Sequence, residues 1–344
     1  MNQEKLNIER ASKAIRDSRF VEGLSFLESN LSKDPNHKDS LYLAAVCSRY
    51  LKNYKDSKEY LNNLLIQAPD MGRAYQELGH LCKAIGENEE AASHYRQACE
   101  LNPALVASWK SLFNYFNKRN NKAAAEHAHE QIKKLDSLPP ILLYISQILN
   151  EGRLAIAEQK CREFLKKNPT NVYAMSLLSD IAKKFGYYDD AEILLENAVK
   201  FSPDDGEIRM KYALILRLKQ KFTETMEQVN ILCEKFPDNL SYQAQKASEI
   251  MQNGYHSEAI DLFEKIIKEN PYNFSAMTSK GHAEKTLGKT DKAIESYKSA
   301  YKIKNDHGEA YFSLSNLKTY KFSDKELDVM KNQLKRVDLT LKDK

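Results

Sequence analysis

The 344-residue chain is poor in glycine and proline, with 11 and 9 residues respectively. This scarcity argues against a loop-rich β protein, a collagen-like chain or a flexible linker, and it favours helices. Long apolar runs are also missing, since stretches such as 141–145 fall far short of the ~20 residues that a membrane span needs. The five cysteines are odd in number and widely spaced, so we expect a reducing compartment rather than a disulfide framework.

The chain also lacks a strong excess of charge of one sign. Its 52 basic and 48 acidic residues give a net charge of +4, which does not favour nucleic-acid binding. The N-terminal sequence Met-Asn-Gln-Glu-Lys is polar and has no apolar core of a signal peptide. We therefore expect a cytoplasmic protein that neither inserts into a membrane nor binds nucleic acid.

What the chain does have is an internal repeat of 34 residues. Prolines, small residues and turn residues each recur at this interval or its double, and each series contains one step that is two residues short of a whole number of periods. The prolines are Pro35, Pro69, Pro103, Pro169, Pro203, Pro237 and Pro271. The small residues are Gly23, Ser57, Ala91, Ala125, Ala157, Ala191, Thr225, Ala259 and Ala293. The turn residues are Gly86, Asn120, Gly152, Gly186, Gly254 and Gly288.

Each repeat has the pattern of two antiparallel helices. In residues 72–105, apolar and small residues between Tyr75 and Cys82 follow a helical period, and Gly86 supplies a residue that tolerates positive φ. A second helical stripe follows from Ala91, and Pro103 comes shortly after its end. We expect the small residue to let the two helix backbones approach closely, so that a larger side chain there would overpack the contact.

These residues resemble the tetratricopeptide repeat (TPR). The residues that carry the resemblance are Tyr75, Leu78, Gly79, Gly86, Ala91, Tyr95, Ala98 and Pro103, with Trp109 in the next unit. The resemblance implies an all-α fold, a right-handed α-α superhelix of about nine helix-turn-helix repeats plus C-terminal capping helices. The nine units are 4–37, 38–71, 72–105, 106–137, 138–171, 172–205, 206–239, 240–273 and 274–307, and a tenth first helix begins near Gly308.

The short interval predicts a change of packing between the fourth and fifth units. Bulky Phe113 and Ile145 replace the small residue at position 8 there, and Pro139 and Pro140 precede the fifth unit. We therefore predict a first block over 1–137 with about four repeats, and a second over 138–320 with about five repeats and a capping helix. Residues 321–344 would form a C-terminal helix or linker. Each repeat is expected to stack only on its neighbours.

The C-terminal repeats and tail resemble the TPR portion of bacterial TPR-sulfotransferases. The resemblance rests on residues 308–324 and on Gly281 to Thr286, and Ser323 and Glu326 form a capping box for a last amphipathic helix. No phosphosulfate-binding loop follows a strand-like segment. We therefore expect no catalytic activity and no cofactor in this chain. The resemblance implies 3′-phosphoadenosine 5′-phosphosulfate only if a sulfotransferase domain follows Lys344, so whether the parent polypeptide is an enzyme stays open.

No residue set predicts a catalytic or metal site. The cysteines fall at or near inward helix positions, where a free thiol packs as a small apolar group. His127 and His129 are two residues apart, so a helix does not place them on one face as metal ligands. Serine, histidine and acidic residues form no recognisable catalytic set.

The first helix of each unit is expected to line the concave face, chiefly through positions 2, 5, 9 and 12. Position 12 is mostly basic although the chain is nearly neutral, so this row could attract an acidic or phosphorylated peptide, or it could merely keep the groove hydrated. The candidate partner-binding residues are Arg49, Lys83, Lys110, Asn114, Lys183, Arg217, His282, Lys285, Asn316 and Thr319. Four of these residues, His282, Lys285, Asn316 and Thr319, would form a docking patch beside a following domain.

The sequence therefore predicts a TPR scaffold that binds a protein or peptide, as the substrate- or partner-binding region of a bacterial sulfotransferase-family protein. The alternative is a free-standing adaptor that assembles a protein complex. A chaperone adaptor is disfavoured, because Lys110 and Asn114 match only the first pair of the family's carboxylate clamp, while Leu143, Tyr173 and Leu177 occupy the other positions.

Overall fold

The structure is a computed structural model that describes residues 3–334. Those residues form twenty α-helices and contain no β-strand, which confirms the predicted all-α fold of stacked helical hairpins. By its internal contacts the chain divides into two compact units, unit 1 through Phe164 and unit 2 from Leu165. The boundary predicted after residue 137 stays a prediction. No helix within 3–334 has the length and apolar content to cross a bilayer.

Unit 1 is built from helical hairpins, in which α1, α3, α5 and α7 each pack on the even-numbered helix that follows. Its helices are α1 Gln3–Arg16, α2 Phe20–Leu31, α3 Lys38–Tyr50, α4 Tyr54–Gln67, α5 Gly72–Ile85, α6 Asn88–Leu101, α7 Val106–Lys118, α8 Lys122–Asp136, α9 Pro140–Asn150 and α10 Leu154–Lys167. The division between the units falls in the last turn of α10.

Unit 2 repeats the same arrangement and ends in two short helices. Its helices are α11 Val172–Phe185, α12 Tyr188–Phe201, α13 Gly206–Leu218, α14 Phe222–Lys235, α15 Leu240–Gln252, α16 His256–Glu269, α17 Phe274–Thr286, α18 Thr290–Ile303, α19 Gly308–Ser315 and α20 Asp324–Leu334. We call the odd-numbered helices α1 to α19 the inner helices and α2 to α18 the outer helices.

The small residues of the 34-residue series are buried where inner and outer helices meet. All nine of them are buried, and Ala157, Ala191, Ala259 and Ala293 are fully inaccessible. The residue four positions later is also buried in eight of the nine units. The exception is the exposed His129, which lies in the unit before the short interval.

Position 15 of each unit ends its inner helix in the left-handed region. All nine residues there have positive φ, and three of them, Ser18, Lys52 and Gln220, are neither glycine nor asparagine. The sequence identifies this turn only where glycine or asparagine occupies it. The turn therefore belongs to the hairpin geometry, and the non-glycine residues adopt it at a cost in strain.

The last helices cap unit 2 through a hydrogen-bonded carboxylate. The predicted capping box is confirmed, because the Ser323 backbone N–H donates to Glu326 over 2.8 Å and the Glu326 N–H donates to the Ser323 hydroxyl over 3.4 Å. The hydroxyls of Tyr301 and Tyr320 also donate to Glu326, each over 2.5 Å. Burial opposes ionisation of Glu326, but these hydrogen bonds outweigh it and lower the pKa to about 2.

The fifth hairpin, formed by α9 and α10, departs from the regular packing of unit 1. The turn between α9 and α10 contacts the starts of α3 and α5, where Arg153 pairs with Asp39 and Arg73 pairs with Glu151. The expectation that each repeat contacts only its neighbours is therefore wrong in unit 1. The physical reason is that, after the short connection before Pro140, the residues that follow α9 form ion pairs with residues at the starts of α3 and α5.

Candidate functional site on the inner helices

Two residues of the basic row are already paired with buried carboxylates. Nε of Arg49 on α3 lies 2.5 Å from a carboxylate oxygen of Glu77 on α5, and Nη1 of Arg217 on α13 lies 3.2 Å from one of Glu249 on α15. Burial raises the pKa of Glu77, and the Arg49 pairing only partly opposes this. In both units these arginines therefore join successive inner helices, and partner binding would have to compete with that role.

Lys83 and Asn114, two of the predicted residues, line one cleft. This cleft between α5, α6 and α7 has a volume of about 520 Å³. Among the described residues its polar lining consists of amides, hydroxyls and cations, and it includes no carboxylate. These residues are Lys83, Asn88, Tyr95, Ser111, Asn114, Tyr115, Asn117, Lys118 and Arg119.

The three cations of this cleft differ in their contacts. Arg119 pairs with Glu89 and lies over the Tyr115 ring, 5.0 Å from its centroid. Lys83 and Lys118 are exposed, and within 3–334 neither forms an ion pair. An anionic side chain entering the cleft would therefore meet two ammonium groups without displacing an existing carboxylate from either.

A histidine–tyrosine hydrogen bond fixes the wall of the cleft. His80 Nδ1 lies 2.7 Å from the Tyr95 hydroxyl, and a Cβ added at Gly79 would lie 2.6 Å from the Tyr95 ring. Burial, reinforced by the nearby Arg49 and Lys83 charges, lowers the pKa of His80 to about 4. The imidazole is therefore neutral at pH 7 and holds the tyrosine ring in place.

Unit 2 contains the same arrangement in its last complete hairpin. His282 Nδ1 lies 2.9 Å from the Tyr297 hydroxyl, and a Cβ added at Gly281 would lie 2.6 Å from the Tyr297 ring. The other ring nitrogen of His282 lies 3.4 Å from Glu309. This predicted docking residue is therefore engaged within the repeat, while Lys285, one turn later, is exposed and forms no ion pair within the described chain.

The remaining basic candidates are accessible. Lys110 on α7 forms a half-exposed ion pair with Asp136 at 3.0 Å. Lys183 on α11 is exposed, and no ion pair of the described residues includes it. That Lys110 and Lys183 bind a partner remains a prediction.

The structure corrects the placement of Asn316 and Thr319. Helix α19 ends at Ser315, so Asn316 is its C-cap and Thr319 lies outside any inner helix. Lys318 has positive φ, and the chain then places Tyr320 and Phe322 against the tyrosines of unit 2. The predicted continuation of the first helix to residue 319 is therefore wrong, because this aromatic packing ends it early.

An apolar cleft lies between α19 and α20. Its volume is about 280 Å³, and Tyr311, Phe312, Phe322 and Met330 provide its apolar walls. Phe312 is 67% exposed.

The cysteines provide little evidence for a reactive site. Four of the five are buried, and burial raises the pKa of Cys47 and Cys99 to about 12. Cys82 lies near Glu87 and Glu90, with potential ligand atoms within 4.8 Å of one another. Burial, and then the two carboxylates, raise the pKa of this thiol, which disfavours the thiolate that a metal would need.

An ionic contact of unit 1 joins residues that are not among the predicted partner-binding residues. Arg73, Glu151 and Arg153 occupy positions 2, 14 and 16 of their units. Only the two-residue shortening of the repeat signals an irregularity there, and it does not say which side chains would meet.

Three segments match family models of the tetratricopeptide repeat. Residues 72–105 and 274–307 match one model, and residues 39–70 match a second. The chain contains tetratricopeptide repeats. Two of the matched TPR segments have the same bounds as the units that the 34-residue period predicts, and both contain the glycine, histidine and tyrosine arrangement described above.

Solved structures with similar helical arrays include two of MamA. One is 19% identical, covers 47% of this chain and 94% of its own, and has a TM-score of 0.42. The other is 18% identical, covers 53% and 95%, and has the same TM-score. The Cut9–Hcn1 hetero-tetramer of the APC/C is 14% identical, covers 81% and 55%, and has a TM-score of 0.38. At these scores the likenesses carry no argument about function.

Proposed function

We propose that the chain is a TPR scaffold that binds an acidic segment of a protein partner in the cleft between α5, α6 and α7. The observation that supports this most directly is the composition of that cleft. Within the described part of the chain, two ammonium groups without ion-pair partners and three asparagine amides line it, and no carboxylate does. Amides can bond to the backbone of an extended peptide, and the cations attract its acidic side chains.

The volume and rigidity of the cleft support the same function. About 520 Å³ accommodates several side chains rather than a single ion. The Tyr95 wall is held by His80 and packs against Gly79, so the cleft is formed before a ligand arrives. A preformed site loses less conformational entropy on binding than one that must be ordered.

A peptide selection tests this function even though the partner is unidentified. Random 12-residue peptides displayed on phage are selected on the full chain, and the affinities of the enriched peptides are measured by fluorescence anisotropy. We expect enrichment of Asp and Glu, and about tenfold weaker binding to Lys83→Glu, which is about 1.4 kcal/mol. Binding should also weaken with added salt.

The matched control makes the same charge change on an outer helix. Lys55 on α4 is exposed, so Lys55→Glu alters net charge equally but leaves the cleft intact. Peptides that show no acidic enrichment, or that bind Lys83→Glu and Lys55→Glu equally well, would refute the proposed site.

A finer proposal concerns the polypeptide that this scaffold serves. The resemblance of residues 308–324 supports a cytoplasmic bacterial sulfotransferase whose substrate this scaffold presents, and the alternative is an independent adaptor. The natural reading frame distinguishes them, because the first requires an α/β phosphosulfate-binding domain after Lys344. Calorimetry of the natural polypeptide with 3′-phosphoadenosine 5′-phosphosulfate then tests donor binding directly.

A further inference from the structure

The inner helices of unit 1 hold a carboxylate of their own chain. Arg73 at the start of α5 contacts Glu151 in the turn between α9 and α10, with Nη2 2.6 Å from Oε2 and Nε 2.5 Å from Oε1. The Glu151 side chain is 3% exposed although it lies in a turn. Beside it, Arg153 pairs with Asp39 at the start of α3.

The Arg73–Glu151 contact lies beside an aromatic ring of α3. The Arg73 guanidinium lies 5.0 Å from the centroid of the Tyr42 ring, and burial raises the pKa of Tyr42 to about 12.

The contact of the turn with α3 and α5 includes two ion pairs, which another carboxylate could replace. Amide hydrogen bonds join α9 to the segment between α6 and α7, where Asn102 Nδ2 donates to the Gln147 carbonyl over 3.1 Å and Gln147 Nε2 donates to the Ala104 carbonyl over 3.0 Å. Buried ion pairs recover little more than their desolvation cost. Only one of the two Arg73–Glu151 contacts is an aligned hydrogen bond.

The geometry points to Arg73 as a second carboxylate-binding residue of the scaffold, which the chain's own Glu151 occupies and from which an acidic segment of the partner displaces it. This inference rests on the proposed function for the identity of the ligand. The α9–α10 turn then acts as an internal competitor. Its release frees the Arg73 guanidinium beside the Tyr42 ring, so that one inner surface offers a cation and an aromatic contact together.

Hydrogen exchange of the full chain tests whether the turn opens. Glu151→Gln keeps the side-chain size but removes the charge that pairs with Arg73. We expect severalfold faster amide exchange in α9 and at the start of α5, beyond any change in α1 and α2 of the same unit. The control is Glu158→Gln, which removes a partly exposed i,i+4 partner of Arg162 in the same hairpin and leaves the contact intact.

A double variant in which the charges of residues 73 and 151 are swapped keeps this test informative if Glu151→Gln destabilises the fold. The double variant Arg73→Glu with Glu151→Arg re-forms the pair with opposite polarity, and we expect it to restore protection of α9 relative to either single variant. Unchanged exchange in Glu151→Gln, or faster exchange only through global unfolding, would show that the turn is a fixed structural contact.

Competition with an acidic peptide tests the carboxylate site itself. Peptides selected on the wild-type chain should bind Glu151→Gln about threefold or more tightly, because more of the protein is open. Arg73→Gln should remove that gain when combined with Glu151→Gln. If no acidic peptide binds any variant, the proposed function fails while the exchange result still decides whether the turn opens. If peptides bind wild type and Glu151→Gln equally, the competition is refuted.

Discussion

At the scale of single residues, the hairpin imposes a backbone conformation that the sequence reveals only in part. Position 15 has positive φ in all nine units, yet glycine or asparagine occupies only six of them. Lys52 and Gln220 are invisible to a search for turn residues, because the conformation comes from packing of the two helices and not from local preference. The 34-residue period alone assigns Lys52 and Gln220 to the turn, because both occupy position 15 of their units.

Replacing one of these residues by glycine should stabilise unit 2. In Gln220→Gly, removal of left-handed strain of about 1–2 kcal/mol exceeds the roughly 0.5–1 kcal/mol of added chain entropy in the unfolded state. We expect the free energy of unfolding in urea to rise by up to about 1 kcal/mol. Gln220→Ala serves as the control and should bring no gain, whereas a loss of stability in Gln220→Gly would contradict the strain.

At the scale of helices, close approach of inner and outer helices depends on the buried small residues. Ala191 and Ala293 are fully inaccessible, and Gly79 and Gly281 lie directly against tyrosine rings. This level was predictable, because a volume constraint that recurs every 34 residues leaves a clear periodic pattern. The end of α19 at Ser315 could not be predicted in this way, since the aromatic residues that follow it are not part of the 34-residue pattern.

Enlarging one small residue tests this packing. Ala191→Leu adds three carbons to a contact without free space, so we expect a loss of about 1–3 kcal/mol in the free energy of unfolding. The same substitution at the exposed Ala123 on α8 should change stability by less than about 0.5 kcal/mol. Equal stability of both variants and the wild type would show that the repeat does not pack as described.

At the scale of the whole molecule, repetition predicts the fold class but not the site. The repeat position predicts Lys83 and Asn114 as neighbours on the inner helices, and both line one cleft because successive inner helices bring neighbouring rows together. The partners of Arg49 and Arg217 were not foreseen, since Glu77 and Glu249 lie at different positions of their units. Likewise, contacts made by the fifth hairpin depend on where a shortened connection directs the chain.

The central claim is that an acidic peptide binds the inner helices, and mapping where it binds tests this most directly. Amide hydrogen exchange of the full chain is compared with and without a saturating acidic peptide obtained by selection. The account predicts protection in α5 and α7 around Lys83 and Asn114, lost in Lys83→Glu. Protection confined to the outer helices, or unchanged by that substitution, would contradict it.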